Sequence, residues 1–225
     1  KPMDQAIRSM SDHLTKIVKD GEKARALARE AVAAGGVIAF LTDTFYGLGA
    51  DPFNPVALRA IFRLKGRDEG KPILVIASDM EAASRLMVER TPLFDLFSAR
   101  FWPGPLTLIV RARQDVPEEL TAGTGTVGIR VPATEAVRAL ARACGGLLTA
   151  TSANPSGSEP ARTAEMVRSY FPTGLALIVD GGSAQLDLPS TVLDVSRHDA
   201  PSVIREGAVS RGEIETALRS EDEAS

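Results

Sequence analysis

The apolar residues of this chain come in short runs, and that limits what it can fold into. VIAFL (37–41), PILVIAS (72–78), LTLIVRA (106–112), TVGIRVP (126–132), LLTAT (147–151), LALIVD (175–180), TVLDV (191–195) and SVIR (202–205) are all of strand length. The glycine-rich TDTFYGLGAD (42–51) has room for one more short strand. None of these runs approaches the roughly 20 apolar residues that a membrane-spanning helix needs. Helical stretches separate some of the strands, but several strands follow one another directly. Such imperfect alternation predicts an α+β domain of the three-layer α/β type, a twisted mixed β-sheet flanked by helices, rather than a clean parallel array.

The helices announce themselves by spacing and by caps. Ile7, Met10, Leu14 and Ile17 form one stripe, which predicts a helix from residue 4 to about 19. A second runs from about Glu22 to Ala34 and stops at Gly35-Gly36. Asn54-Pro55 opens a third, with Asn as cap and Pro at the first helical position; Leu58, Ile61 and Phe62 face inward and Gly66 ends it. Thr91-Pro92 starts another, broken by FWPGP (101–105). Thr134 caps one that reaches about Cys144, and Thr163 caps one that reaches about Tyr170. Ser210 and Glu213 form a capping box for the last helix. The expected organisation is an N-terminal helical extension (1–21), one domain (22–215) and a short tail (216–225), without repeats or low-complexity linkers.

Composition narrows the function classes. With 44% hydrophobic residues in 225, the chain can bury a core. A formal charge of -3 and a pI near 5.5 argue against wholesale coating of nucleic acid, though not against a local basic patch. One cysteine excludes an internal disulfide framework and a thiolate zinc site. The N-terminus is charged and lacks the apolar centre of a signal peptide, so a cytoplasmic protein with no membrane partner is expected.

Several motifs can be set aside. GTGTVG (123–128) matches GxGxxG, but a strand follows it where the dinucleotide fingerprint needs a helix. The region before it (RQDVPEELTA) reads as loop. There is no GxxxxGK[ST] and no HExxH. His13 and His198 lie in polar terminal segments, and Cys144 is expected to pack. Three features remain. In TDTFYGLGAD, Thr42 and Thr44 bracket Asp43 just past a buried strand: a turn, or a site. LKGRDEGKP (64–72) gathers Lys65, Arg67 and Lys71 around a helix end: solvated charge favoured by the helix dipole, or an anion site. TATSANPSG (149–157) ends a buried strand in hydroxyls and an Asn, which suits turn chemistry and also the strand ends where α/β proteins place ligands.

The ordered set LTDTFYGLGAD, KGR, GKPILV, WPGPLTLIV, TVGIRVP, TSANPSG, PSTVLDV and VIREG resembles the YrdC-like threonylcarbamoyl-AMP synthases, in their short single-domain form, over roughly residues 22 to 215. The resemblance implies a YrdC-like fold with a concave basic groove. It also implies condensation of L-threonine, bicarbonate and ATP into threonylcarbamoyl-AMP with release of pyrophosphate. Downstream, a threonylcarbamoyl transferase complex would carry the group to adenosine 37 of tRNA. By motif, Lys65, Arg67, Ser152 and Asn154 would be catalytic. ATP would lie against Arg67, Lys71, Thr126, Ser152 and Arg205. Threonine would lie against Thr44, Arg130, Ala150 and Ser190. ATP would enter as substrate with Mg2+, with no tightly bound cofactor and no protein metal site. Two positions depart from the family pattern: Leu41 stands where Pro usually precedes the TDT or TET triplet, and Ile76 stands where some members carry His. Two rival readings stay open: a carbamoyl-adenylate-forming domain of the same fold, and a non-catalytic module binding tRNA or double-stranded RNA. Against the latter, aromatic residues are only 5%, poor for base stacking.

Overall fold

The computed structural model describes residues 14–66, 71–185, 188–197 and 200–222. Strands β1 (Ile17–Lys19), β2 (Ile38–Leu41), β3 (Tyr46–Gly49), β8 (Thr151–Ser152) and β9 (Leu177–Asp180) form a mixed sheet in the order β1-β9-β2-β3-β8. Strands β4 (Val75–Ala77), β5 (Leu106–Arg111), β6 (Thr126–Arg130), β7 (Leu147–Thr149), β10 (Thr191–Asp194) and β11 (Ser202–Arg205) form a second, in the order β11-β10-β5-β6-β4-β7. The expected mixed, helix-flanked architecture is present, but as two sheets where one was anticipated.

The division falls inside a run that reads as one strand. LLTAT splits at Ala150 into β7 of one sheet and β8 of the other. Thr149, fully buried, explains the break. Its hydroxyl donates to Leu48 O at 3.0 Å and accepts from Ala50 N at 2.9 Å, while its own N–H bonds Ala50 O at 3.0 Å. The buried hydroxyl thus ties the end of one sheet to the β3 region of the other, and the chain must turn to follow.

The helices are α1 (Glu22–Ala33), α2 (Pro55–Lys65), α3 (Met80–Ser84), α4 (Pro92–Phe101), α5 (Glu118–Thr121), α6 (Glu135–Ala143), α7 (Ala164–Tyr170) and α8 (Arg211–Asp222). The expected caps recur except at Thr134, which holds the N-cap position of α6 without a side-chain cap bond. Asn54 accepts from Val56 N and Ala57 N, and Gly66 ends α2 in the left-handed conformation. Thr91 and Thr163 cap α4 and α7, and Glu213 accepts from Ser210 N. The short helices α3 and α5 were not anticipated; α5 occupies the stretch read as loop before GTGTVG.

The helix expected over residues 4 to about 19 lies mostly outside the described residues, and where it enters them it is overturned. Ile17–Lys19 is an edge strand that runs parallel to β9, with Ile17 opposite Ile178 and Val18 opposite Val179. Helical spacing could not reveal that partner, which lies far along the chain.

Strand residues alternate between two clusters, as a period of two requires. Ala39, Val75, Ala77, Leu147 and Ile178 join Tyr46, Leu48, Leu58, Phe94, Leu108 and Ile129 in the larger. Ile38, Phe40, Ile76, Leu148, Leu177 and Val179 meet Ala24, Ala28 and Val32 of α1 and Val137, Leu140 and Ala141 of α6 in the smaller. So α1 and α6 cover strands of both sheets. The small Ala24-Ala28-Val32 stripe lets α1 come close. Each large apolar side chain buried this way contributes roughly 1.5–3 kcal/mol.

Candidate active site

Beside the crossing point at Ala150 lies a cavity of about 570 Å³. Its wall takes Thr44, Tyr46 and Gly47 from the β2–β3 turn and β3. It takes Ala150, Thr151 and Ser152 from the crossing, Arg130 from the end of β6, and Ser190 and Arg205 from β10–β11. Lys71 stands on the approach to β4. Seven of the sequence-predicted residues therefore meet in one place: Thr44, Lys71, Arg130, Ala150, Ser152, Ser190 and Arg205. Among the described lining residues are three cations, Lys71, Arg130 and Arg205, and no carboxylate. The wall between them is apolar, including Leu74, Val75, Ile76, Ile109 and Val192.

Arg130 is nearly buried, its side chain 7% exposed. Burial pulls its pKa below the ordinary arginine value, and Asp43 opposes that pull. Arg130 Nη1 donates to Asp43 Oδ2 at 3.2 Å. The same carboxylate accepts from Ala133 N at 3.1 Å and Thr134 N at 3.2 Å. Thr134 holds the N-cap position of α6, but its side chain makes no cap bond; Asp43, from the distant β2–β3 turn, holds the two N–H groups just before the helix. Within that turn the Thr42 hydroxyl donates to Phe45 O at 2.7 Å and lies 3.2 Å from the Thr44 hydroxyl.

The opposite wall is tied by its own bonds. Arg205 Nη2 donates to Ser190 O at 2.9 Å, and the Ser190 and Thr107 hydroxyls are 3.0 Å apart. Burial holds the Arg205 pKa below its ordinary value too. Gly207 passes so close beneath this wall that a Cβ there would lie 2.2 Å from Pro189 O.

Lys65 and Asn154 stand behind the wall rather than in it. Lys65, 4% exposed, donates from Nζ to Ser152 O and, at 3.0 Å, to Asn154 O, with the Ser152 hydroxyl at 3.4 Å. Its own carbonyl accepts from Ser156 N at 2.9 Å. The helix end that reads as a surface turn is in fact pinned to the SAN turn. Asn154 Nδ2 donates to Pro155 O and Ser158 O, and its Oδ1 is buried without a partner among the described residues. Thr126, at the start of β6, bonds Thr124 and does not line the cavity. Arg67 and His198 lie outside the described residues.

A second cavity, of about 310 Å³, lies on the far side of Thr42 and Asp43. Phe40, Leu41, Val137, Leu140 and Val179 line it with Asp20 and Asp43, and its described lining contains no Lys or Arg. It offers an anion nothing, so the larger cavity is the candidate site. Among the described residues no group of His, Cys, Asp and Glu is arranged to hold a metal, and no helix is long and apolar enough to cross a membrane.

Sequence reasoning missed Asp43, Thr107 and Tyr46. Asp43 had one signal, its place between two threonines after a buried strand. Tyr46 had none: its hydroxyl leaves the cavity and donates to Gly182 O at 2.7 Å.

Fold and cavity define a class: a two-sheet α+β domain with a pocket lined by three cations among its described residues. A family model for Sua5, YciO and YrdC proteins, described as "Telomere recombination", matches residues 30–207. The chain belongs to this family. A threonylcarbamoyl-AMP synthase of Thiobacillus denitrificans is 43% identical over 162 residues, which are 72% of this chain and 86% of that one. The crystal structure of Pyrococcus abyssi Sua5 complexed with L-threonine superposes with a TM-score of 0.84 at 32% identity. It covers 91% of this chain, while this chain spans 60% of the archaeal protein. Escherichia coli YciO superposes with a TM-score of 0.75 at 28% identity, over 88% and 96% of the two chains.

Proposed function

We propose that this chain is an L-threonylcarbamoyladenylate synthase. It joins L-threonine, bicarbonate and ATP into threonylcarbamoyl-AMP and pyrophosphate, and so supplies the activated group for threonylcarbamoyladenosine in tRNA. The observation that carries the proposal is the cavity of about 570 Å³, which combines a buried guanidinium, clustered hydroxyls and further cations with no carboxylate among its described lining residues. Its kinship with proteins named for this reaction, one of them seen with threonine, supports the same reading.

In the proposed reaction, threonine's amine first attacks the carbon of bicarbonate: the N–C bond forms, a C–O bond breaks, and the hydroxyl leaves as water with an amine proton, giving the carbamate. A carbamate oxygen then attacks the α-phosphorus. The new P–O bond forms as the bond from the α-phosphorus to the bridging oxygen breaks, and pyrophosphate leaves with that electron pair. The attacking oxygen is already ionised, so no strong general base is required. The residues bind, orient and neutralise. Arg130 receives the threonine carboxylate, with Thr44, Ser190 and the Ala150 backbone around the rest of the amino acid. Ser152 faces the reacting groups, and Asn154 and Lys65 hold the turn that carries it from behind. Lys71, Arg205 and, by motif, Arg67 meet the phosphates, where preplaced cations stabilise charge gathering on the leaving group. Mg2+ would enter bound to ATP and would share in neutralising the phosphate charge.

Pyrophosphate release from ATP tests this directly. Release that requires both threonine and bicarbonate is the expected result. Release driven by carbamoyl phosphate would move the chain to carbamoyl-adenylate chemistry. A folded protein that releases none under either condition, but binds double-stranded RNA in a salt-sensitive way, would overturn the enzyme reading.

A further inference from the structure

The bonds around Asp43 point to a residue outside the motif-based assignments. It sits in the turn between β2 and β3, its side chain 7% exposed. Both carboxylate oxygens are engaged. Oδ2 accepts from Arg130 Nη1 and from Ala133 N, and Oδ1 accepts from Thr134 N. One carboxylate thus joins the turn carrying Thr44, the end of β6 and the start of α6. Among the described residues, Asp43 is the hydrogen-bond partner of the Arg130 guanidinium. Arg130's remaining donors are left for a ligand in the cavity it lines.

We propose that Asp43 is the positioning residue for Arg130: it fixes the plane of the guanidinium so that its remaining N–H groups present a two-point fork to the amino-acid carboxylate. The inference rests on the reading of this cavity as the threonine site. A lone buried guanidinium could turn about its long side chain. One held against an acceptor that is itself anchored to two backbone N–H groups just before a helix cannot, and forked recognition depends on that plane. Asp43 also places a negative charge near the substrate carboxylate, which by itself weakens binding. Its place behind Arg130 is explained by geometry rather than by attraction.

Asp43→Glu separates these effects, because it keeps the charge and moves the oxygens by one methylene. Threonine kcat/KM should fall by about 100-fold, the cost of misplacing a binding group by about 1 Å, while the KM for ATP stays within about threefold. On an Arg130→Lys background the added Asp43→Glu change should have almost no further effect, since the fork it orients is gone. Asp43→Asn guards against misfolding. It keeps an acceptor for the N–H groups just before α6, and at an unchanged Tm it should show the same split between threonine and ATP. A wild-type enzyme that works with threonine, alongside an Asp43→Glu protein within threefold of it, would overturn the inference alone. So would losses that fall equally on threonine and ATP and persist on the Arg130→Lys background. A wild-type protein with no threonine-dependent release would overturn the functional reading and this inference together.

Discussion

Arg130 and Arg205 line the same cavity and are held in different ways. Arg130 ends an interior strand, between β5 and β4, and is buried against a carboxylate. Arg205 ends the edge strand β11, in an exposed stretch, and leans on a backbone carbonyl. Lys71, the third cation, is exposed as well. The contrast matches what each would have to recognise. An amino-acid carboxylate is small and must be told from similar groups, which favours a rigid, desolvated fork. A triphosphate carries several charges on a flexible chain, which mobile cations at a rim can follow. Under the proposed function, specificity would belong to the buried side and charge neutralisation to the exposed one.

That comparison can be broken by substitution. The largest effect is expected from Arg130→Ala. Threonine-dependent pyrophosphate release should fall about 100- to 1,000-fold, and calorimetry should show a lower Tm, because a buried Asp43 without its partner costs about 3–5 kcal/mol. A normal Tm with full activity would remove Arg130 from the site. Lys65→Met should come next. The Ser152 and Asn154 carbonyls lose a buried donor, at a cost of about 1–3 kcal/mol, and the turn that carries Ser152 relaxes. Turnover should drop by about tenfold or more with both substrates affected, which would distinguish a residue behind the wall from one on either side of it. Arg205→Gln should be mildest: about a tenfold rise in the KM for ATP, a shallower salt dependence and an unchanged KM for threonine. A threonine effect as large as the ATP effect would erase the division between the two sides.

Much of this could be read from the chain because the signals are local. Asn54-Pro55 with Gly66 marks both ends of α2, and Ser210 with Glu213 marks the start of α8; both recur in the structure. The gathering of Thr44, Arg130, Ala150, Ser152, Ser190 and Arg205 was legible only through the ordered motifs, since no spacing rule places them together. What escaped depends on partners far along the chain. Asp43 gains its role from Arg130, 87 residues away. Ile17–Lys19 becomes a strand because β9 offers an edge. LLTAT looks continuous because nothing in five residues reveals that Thr149 will bond Leu48, 101 residues earlier. Lys65 illustrates a subtler limit: the helix end was correct, but the side chain that seemed bound for solvent turned inward.

The crossing at Ala150 has a thermodynamic consequence. Because Thr44 and Ser152 come from one sheet and Arg130 and Arg205 from the other, a ligand filling the cavity is a brace between two bodies that share little backbone there. Its binding energy is withheld from any state in which the sheets part, even one where each stays intact. At a hundred times its Kd such a ligand adds about 2.7 kcal/mol against that separation. Substrate thus acts as a structural crosslink, and amide exchange along β7 and β8 should slow together when it binds.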